Sequence, residues 1–163
     1  MYRKRKLNDY LTSFSSLRFP YVKKYPKNIH RYETFIGIGG NVGDVKRRFE
    51  QLFIILQKEK RIELLRTSLI LKNPPFGYKQ QDDFLNAIIV LKTSMQARRF
   101  LSYLLHLEKR FGRKRSFANA PRTLDLDIIF FDNRVIKTQK LTVPHASWSQ
   151  RESVVIPLAG LRR

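Results

Sequence analysis

Asp125 and Asp127 stand two residues apart in the run Arg122-Thr123-Leu124-Asp125-Leu126-Asp127. Side chains alternate along a β-strand, so the two carboxylates share one face while Leu124, Leu126 and Ile128 take the other. Neighbouring carboxylates repel unless a cation sits between them. Hard oxygen ligands without histidine or cysteine favour Mg²⁺, which commonly bridges one or two carboxylates and substrate phosphates. A solvated strand face is the bland alternative for so short a motif. Its setting argues otherwise, because the pair lies in an apolar strand directly after a cationic loop. From Lys109 to Arg122 there are six basic residues and no acid. Arginine suits bidentate contacts to phosphate, so Arg113, Arg115 and Arg122 are candidates for gripping ATP. Lys109 and Arg110 have a simpler explanation, as cations favoured at a helix C-terminus. A loop this long and polar could also close over substrate.

Three further groups carry weaker signals. His145, in Thr142-Val143-Pro144-His145, is followed six residues later by Arg151; the two could hold a triphosphate tail, although a lone histidine is more often structural. Phe84 and Asn86 alternate onto one strand face, near Asn73-Pro74-Pro75-Phe76-Gly77. An aromatic plane beside an amide could stack on and hydrogen-bond a flat heterocycle, with core packing of Phe84 as the even alternative. Gly37-Ile38-Gly39-Gly40-Asn41 is not a P-loop, since no Gly-Lys-Ser/Thr follows; its glycines are read as letting the backbone pass close to a ligand.

The elements that must position these groups can be read from periodicity. Thr34–Ile38 is an apolar strand, and Asp44 caps an amphipathic helix over residues 44–59 whose buried face is Val45, Phe49, Leu52, Phe53 and Leu56. Ile62–Leu71 reads as one strand, Lys72–Asp83 as a loop with Pro74-Pro75 and Gly77, and Phe84–Leu91 as a strongly apolar strand. Thr93 and Gln96 have the spacing of a capping box before a helix marked by Phe100, Leu101, Leu104, Leu107 and Phe111 and ended by Gly112. Leu124–Phe131 is the next strand, Val135-Ile136 and Leu141–Val143 form a short hairpin, and Glu152–Leu161 is a short closing helix. The order β-α-β-β-α-β predicts an α+β, ferredoxin-like core, a mainly antiparallel sheet with helices packed on it. That plan hosts many functions, RNA-binding modules included.

The chain has 163 residues, 42% of them hydrophobic, enough for an ordinary core. No cysteine is present, which excludes disulfides and thiolate metal sites. No run approaches the length of a membrane span. With 33 basic and 13 acidic residues the net charge is +20, a field that gathers anions. Residues 1–33 carry nine of those cations and two acids, and residues 34–163 carry 24 and 11, so the second part is basic by itself. The first segment is polar and weakly periodic. It is expected to be a basic extension without a core of its own, laid on a 34–163 catalytic domain through Phe14, Leu17, Phe19 and Tyr21. Its removal is expected to alter solubility or anion affinity more than chemistry.

Taken together, these residues resemble the 6-hydroxymethyl-7,8-dihydropterin pyrophosphokinase family of folate synthesis. The resemblance runs from about Phe35 to Leu158. It rests on Gly39-Gly40-Asn41, Asn73-Pro74-Pro75-Phe76-Gly77, Asp83-Phe84-Leu85-Asn86-Ala87, Glu108 before Phe111-Gly112-Arg113, Pro121-Arg122-Thr123-Leu124-Asp125-Leu126-Asp127, and Leu141-Thr142-Val143-Pro144-His145 with Arg151. The resemblance implies a transferase that moves pyrophosphate from ATP to the pterin hydroxymethyl oxygen and releases AMP. Two Mg²⁺ ions would be held by Asp125 and Asp127, with Arg113 and Arg122 as mobile-loop arginines. Glu108, Arg115, Ile128, His145 and Arg151 would line the ATP site. Asn86 would read the pterin edge and Phe84 would stack on the ring, with Asn73, Pro74, Pro75 and Phe76 as the pocket wall. A cytoplasmic monomer is implied, acting on ATP and hydroxymethyl-dihydropterin, with neither membrane nor nucleic acid as partner.

The sequence departs from the family pattern at several places. Ser153 stands where an aromatic often covers the second pterin face, so either Trp148 or Phe117 substitutes or the ring is held from one side. Asn119-Ala120 replaces an aromatic and a glycine in a loop one residue shorter than in some members. Ala146 stands where a tyrosine can follow the histidine, and no longer C-terminal tail follows Leu158. The rival readings are an RNA-binding module, whose Lys/Arg-Gly-Phe/Tyr pattern is not found here, and a degenerate family member that uses its basic segment for another partner.

Overall fold

The computed structural model describes residues 1–162. Its elements are β1 (Arg3–Lys6), β2 (Thr12–Ser15), β3 (Tyr21–Val22), β4 (Tyr32–Gly40), α1 (Val45–Lys58), β5 (Ile62–Thr67), β6 (Ile70–Asn73), β7 (Phe84–Thr93), α2 (Ala97–Arg110), β8 (Asp125–Phe131), β9 (Ile136–Lys137), β10 (Thr142–Val143) and α3 (Glu152–Ala159). A 3-10 turn at Trp148–Gln150 leads into α3. Eight strands form one sheet, with the path β1-β2-β6-β7-β4-β8, β5 beside β7 and β3 beside β5. Every pairing is antiparallel, and β9 and β10 make a separate hairpin. The architecture is α+β, with the core order β5-β7-β4-β8 of a ferredoxin-like sheet.

The hydrophobic patterns explain the layers. Phe49, Leu52, Phe53 and Leu56 of α1 and Phe100, Leu104 and Leu107 of α2 lie in one cluster with Ile36, Ile38, Ile89, Leu91, Leu126, Ile128 and Phe131 of the sheet. Burying each such side chain stabilises by about 1.5–3 kcal/mol. On the other face Val154 of α3 packs with Ile88, Val90 and Ile129. The helix face is therefore filled by core, and the α3 face is left to build a site.

Three local expectations are corrected. The single strand expected over 62–71 is two strands, because Ser68 interrupts it. The Ser68 N–H donates to the Ile88 carbonyl at 2.9 Å, while its hydroxyl accepts from the Ile88 N–H at 2.8 Å. The Thr93/Gln96 capping box does not form. Gln96 is the N-cap without a side-chain bond, and the Thr93 hydroxyl instead donates to the Arg61 carbonyl and accepts from Met95 N. Thr93 is still strand, paired with both Tyr32 and Ile62. Leu17, expected to lie on the domain, is 86% exposed.

The segment 1–33 does more than lie on a surface: it extends the sheet. β2 pairs with β6, placing Phe14 opposite Ile70, and β3 pairs with β5. Phe19 is fully buried between Phe49 and Phe53 of α1, with ring centroids 6.0 and 6.2 Å away. Tyr21 stands edge-on to Phe53 at 5.1 Å. Glu50 accepts from Tyr2, Ser16 and Arg18. Glu63 accepts from the Lys27 and Asn28 N–H groups and pairs with Lys23.

Candidate active site

The site begins with a register. Gly39 of β4 stands opposite Asn86 of β7 on one side and Asp125 of β8 on the other. Directly opposed residues share a face, so the amide and the carboxylate project together on the α3 side. Gly39 makes this possible: a Cβ there would lie 2.5 Å from Asn86 Oδ1. The glycine run thus clears room for a neighbouring side chain. Two residues along, Gly37 stands opposite Asp127, which keeps Asp127 on the same face as Asp125.

The two carboxylates have different partners. Asp125 accepts from Arg113 and, at 3.0 Å, from Arg122. No protein donor reaches Asp127 among the described residues. Burial, followed by the nearby charges of Asp125 and Glu108, pushes the Asp127 carboxyl up to about 7, against the pull of Arg113 and Arg151. A half-buried carboxylate with free lone pairs beside a second carboxylate fits a divalent cation. No cluster of three or more His, Cys, Asp or Glu side chains suits a metal among the described residues. The protein would therefore supply two carboxylate ligands and leave the remaining positions to water and phosphate, the usual arrangement for Mg²⁺.

Glu108 of α2 organises the arginines. Buried under β8, it accepts from Arg113 at 2.8 Å, from Arg115 at 3.2 Å and from the Leu126 N–H at 2.8 Å. Burial raises its pKa most, with the Leu126 N–H and Arg113 opposing. Burial works against the Arg113 charge, but Asp125 and Glu108 outweigh it and raise the guanidinium's pKa. On the opposite wall, His145 Nδ1 accepts from Ser147 N at 3.3 Å, which leaves Nε2 as the protonated donor of a neutral ring. Burial and then the Arg151 charge lower its pKa, with Asp125 opposing. Arg151 Nε is buried without a partner among the described residues, an orphan donor that suits an anionic oxygen.

A cavity of about 440 Å³ opens beside Asp125, lined by Asn73, Pro74, Pro75, Phe76, Phe84, Asn86, Arg122 and Arg151 among others. Its size is that of a small-molecule site. The Arg122 guanidinium lies 5.3 Å from the Phe84 ring centroid and that of Arg151 lies 5.1 Å from Phe76. Asn86 donates to Asn73 Oδ1 at 2.7 Å. A smaller cleft with Gly37, Asp127 and His145 shares Asn86, Asp125, Arg151 and Ser153 with it.

The structure thus gathers Asn73, Pro74, Pro75, Phe76, Phe84, Asn86, Arg122, Asp125, Asp127, His145 and Arg151 around two adjoining spaces, with Arg113, Arg115 and Glu108 behind Asp125. Ile128 is different. Its side chain is buried in the helix-face core, so any contact with ATP would fall to its backbone. Neither Trp148 nor Phe117 lines the cavity: Trp148 packs on Phe130 and Phe117 on Tyr78. Ser153 itself lines it, and Phe76 is its second aromatic. Gln81, Asn41 and Asn119, which the sequence reading leaves without a role because polar loop residues carry no periodic signal, are joined beside the cavity: Asn41 donates to Gln81, and Gln81 donates to the Asn119 carbonyl.

Comparison with known proteins gives the family. The family model for 7,8-dihydro-6-hydroxymethylpterin-pyrophosphokinase matches residues 35–163. The 2-amino-4-hydroxy-6-hydroxymethyldihydropteridine pyrophosphokinase of Campylobacter jejuni is 41% identical over 140 residues, 86% of this chain and 88% of that protein. The protein of the same name from Helicobacter pylori is 42% identical over 126 residues, 76% and 77% of the two chains. That from Bacillus subtilis is 34% identical over 128 residues, 78% and 77%. The chain belongs to the 7,8-dihydro-6-hydroxymethylpterin-pyrophosphokinase family.

Proposed function

We propose that the protein transfers pyrophosphate from ATP to the hydroxymethyl oxygen of 6-hydroxymethyl-7,8-dihydropterin, a step of folate biosynthesis. The observation that carries this reading is the row Asn86–Gly39–Asp125, which sets an amide for a flat heterocycle beside a carboxylate for a phosphate-bound cation. Phe84 and Phe76 offer aromatic surfaces to the pterin, and the Asn73–Asn86 pair reads its polar edge. Asp125 and Asp127 are the residues that would hold Mg²⁺, with two ions expected. When bound, the metal lowers the charge on the phosphates and helps align them. Arg113, Arg115 and Arg122 from one side and Arg151 and the Nε2–H of His145 from the other bind the phosphate oxygens. The new bond joins the pterin oxygen to the β-phosphorus. The bond from that phosphorus to the α–β bridging oxygen breaks, AMP leaves with that oxygen, and the hydroxyl proton is released. The protein's contribution is positioning and charge neutralisation, so no covalent nucleophile is required.

No helix among the described residues is long and apolar enough to cross a membrane. A cytoplasmic monomer with residues 34–163 as its catalytic domain, without nucleic acid or membrane as partner, completes the proposal. Incubation with ATP, Mg²⁺ and hydroxymethyl-dihydropterin is expected to yield AMP and the pterin diphosphate in equal amounts. A well-folded preparation that forms neither would refute it.

A further inference from the structure

Two loops face each other at the mouth of the cavity, residues 74–83 on the pterin side and residues 113–122 carrying the arginines. They touch at three places. Gln81 Nε2 donates to the Asn119 carbonyl at 2.8 Å. The Asn119 side chain packs on Gly77, so closely that a Cβ on that glycine would lie 2.5 Å from Asn119 Nδ2. Tyr78 and Phe117 meet edge to face at 5.2 Å. Both Gly77 and Asn119 adopt positive φ, 78° and 57°, to make the approach.

Gln81 is the centre of this contact. Its Nε2 also donates to the Tyr78 carbonyl at 2.7 Å, and its Oε1 accepts from Asn41 Nδ2 at 2.8 Å. Both donors and the acceptor of the amide are thereby used. Backbone groups fix its orientation. Asn41 Oδ1 accepts from the Arg122 N–H at 2.9 Å, and Asn41 Nδ2 donates to the Asp82 carbonyl at 3.0 Å. Asn41 therefore offers Gln81 a donor, and Gln81 offers its own N–H groups to two carbonyls. A flip of either amide would set acceptor against acceptor. Asn41 is buried at the end of β4, so the clasp is rooted in the sheet.

The clasp joins what each substrate needs. Asn119 lines the cavity together with Phe76 and Phe84, and the same loop ends at Arg122, which reaches Asp125. We infer that Gln81 is a positioning residue that fastens the arginine loop to the pterin loop, so that filling the pterin cavity and closing the arginines on the nucleotide phosphates are coupled. Gln81 itself touches neither substrate. The inference rests on the pterin and ATP reading given above.

The test is Gln81→Glu, nearly the same size but with acceptor oxygens facing two carbonyls, together with Gln81→Ala, which adds no charge. The first measurement needs no substrate: trypsin cleavage after Lys114 in the folded protein, followed by mass spectrometry. Loss of the bond to the Asn119 carbonyl, common to both variants, is expected to speed it about tenfold, with the melting temperature of the whole protein unchanged. The second is pterin affinity with and without a non-hydrolysable ATP analogue and Mg²⁺. The factor by which the nucleotide tightens pterin binding is expected to fall toward one, and the same loss must appear in nucleotide affinity. Unchanged trypsin cleavage, or an unchanged coupling factor, overturns the inference. If the wild-type protein binds no pterin at all, the functional reading and the coupling fall together, and the trypsin rates still decide whether Gln81 fastens the loops.

Discussion

Asp125 and Asp127 are chemically alike, yet their surroundings divide them. Arg113 and Arg122 neutralise the first, whereas the second shares its space with negative charge and has a pKa near 7. The folded-state pKa of Asp127 lies above its ordinary value, so the native protein holds a proton that the unfolded chain loses near pH 4. Without metal, its contribution to stability therefore falls as pH rises from about 4 to 7. Asp127→Asn should remove that dependence, and the metal-free variant should melt higher than wild type at pH 8, by roughly 2–4 °C for each kcal/mol recovered. The same substitution should cut AMP formation on the order of a hundredfold to a thousandfold. Because cation binding must displace the proton, Mg²⁺ affinity of the wild-type protein should weaken by about tenfold per pH unit below 7. Titration calorimetry at pH 6 and pH 8 measures this; equal affinities would remove Asp127 from the metal site.

At the scale of elements, the site depends on three strands in one register. Gly39→Ala would drive a methyl group into Asn86 Oδ1, and the backbone on either side could not yield because β4 is paired along both edges. The expected result is a rise of about tenfold or more in KM for the pterin, with the affinity for Mg-ATP nearly retained; steady-state kinetics with each substrate varied separates the two. Much of this scale was legible beforehand. The alternation through Asp125-Leu126-Asp127 places both carboxylates on one face from spacing alone, and α1 is written in its apolar positions and the Asp44 cap. What was hidden has physical causes. Nothing in the run Ile62–Leu71 announces that the Ser68 hydroxyl will replace a strand partner. Thr93 has the chemistry of a cap, but pairing with two strands holds it extended. β1 reads Arg-Lys-Arg-Lys, fully exposed and without alternation; it is a strand because β2 offers it an edge, and β2 in turn because β6 does.

Across the whole molecule, charge and burial pull against each other. At +20 the folded chain repels itself, and two of its acids, Glu50 and Glu63, are committed to holding the segment 1–33. Raising NaCl from about 0.05 to 0.5 M shortens the screening length severalfold, so the melting temperature should rise with salt; a fall would mean that attractive pairs dominate. The segment itself is attached by more than charge, since Phe19 fills the space between Phe49 and Phe53. Phe19→Ala should cost about 3–5 kcal/mol, and removal of residues 1–30 should cost more, because it also uncovers Phe53 and strips Glu50 and Glu63 of their partners. Yet no residue before Gly37 lines either cavity of the site. Stability and chemistry should therefore separate: Phe19→Ala should melt roughly 10 °C lower while keeping near wild-type turnover at temperatures where it is folded. Circular dichroism melts paired with AMP assays at low temperature provide the comparison. A variant that melts like wild type but turns over slowly would place the basic segment within the catalytic apparatus rather than beneath it.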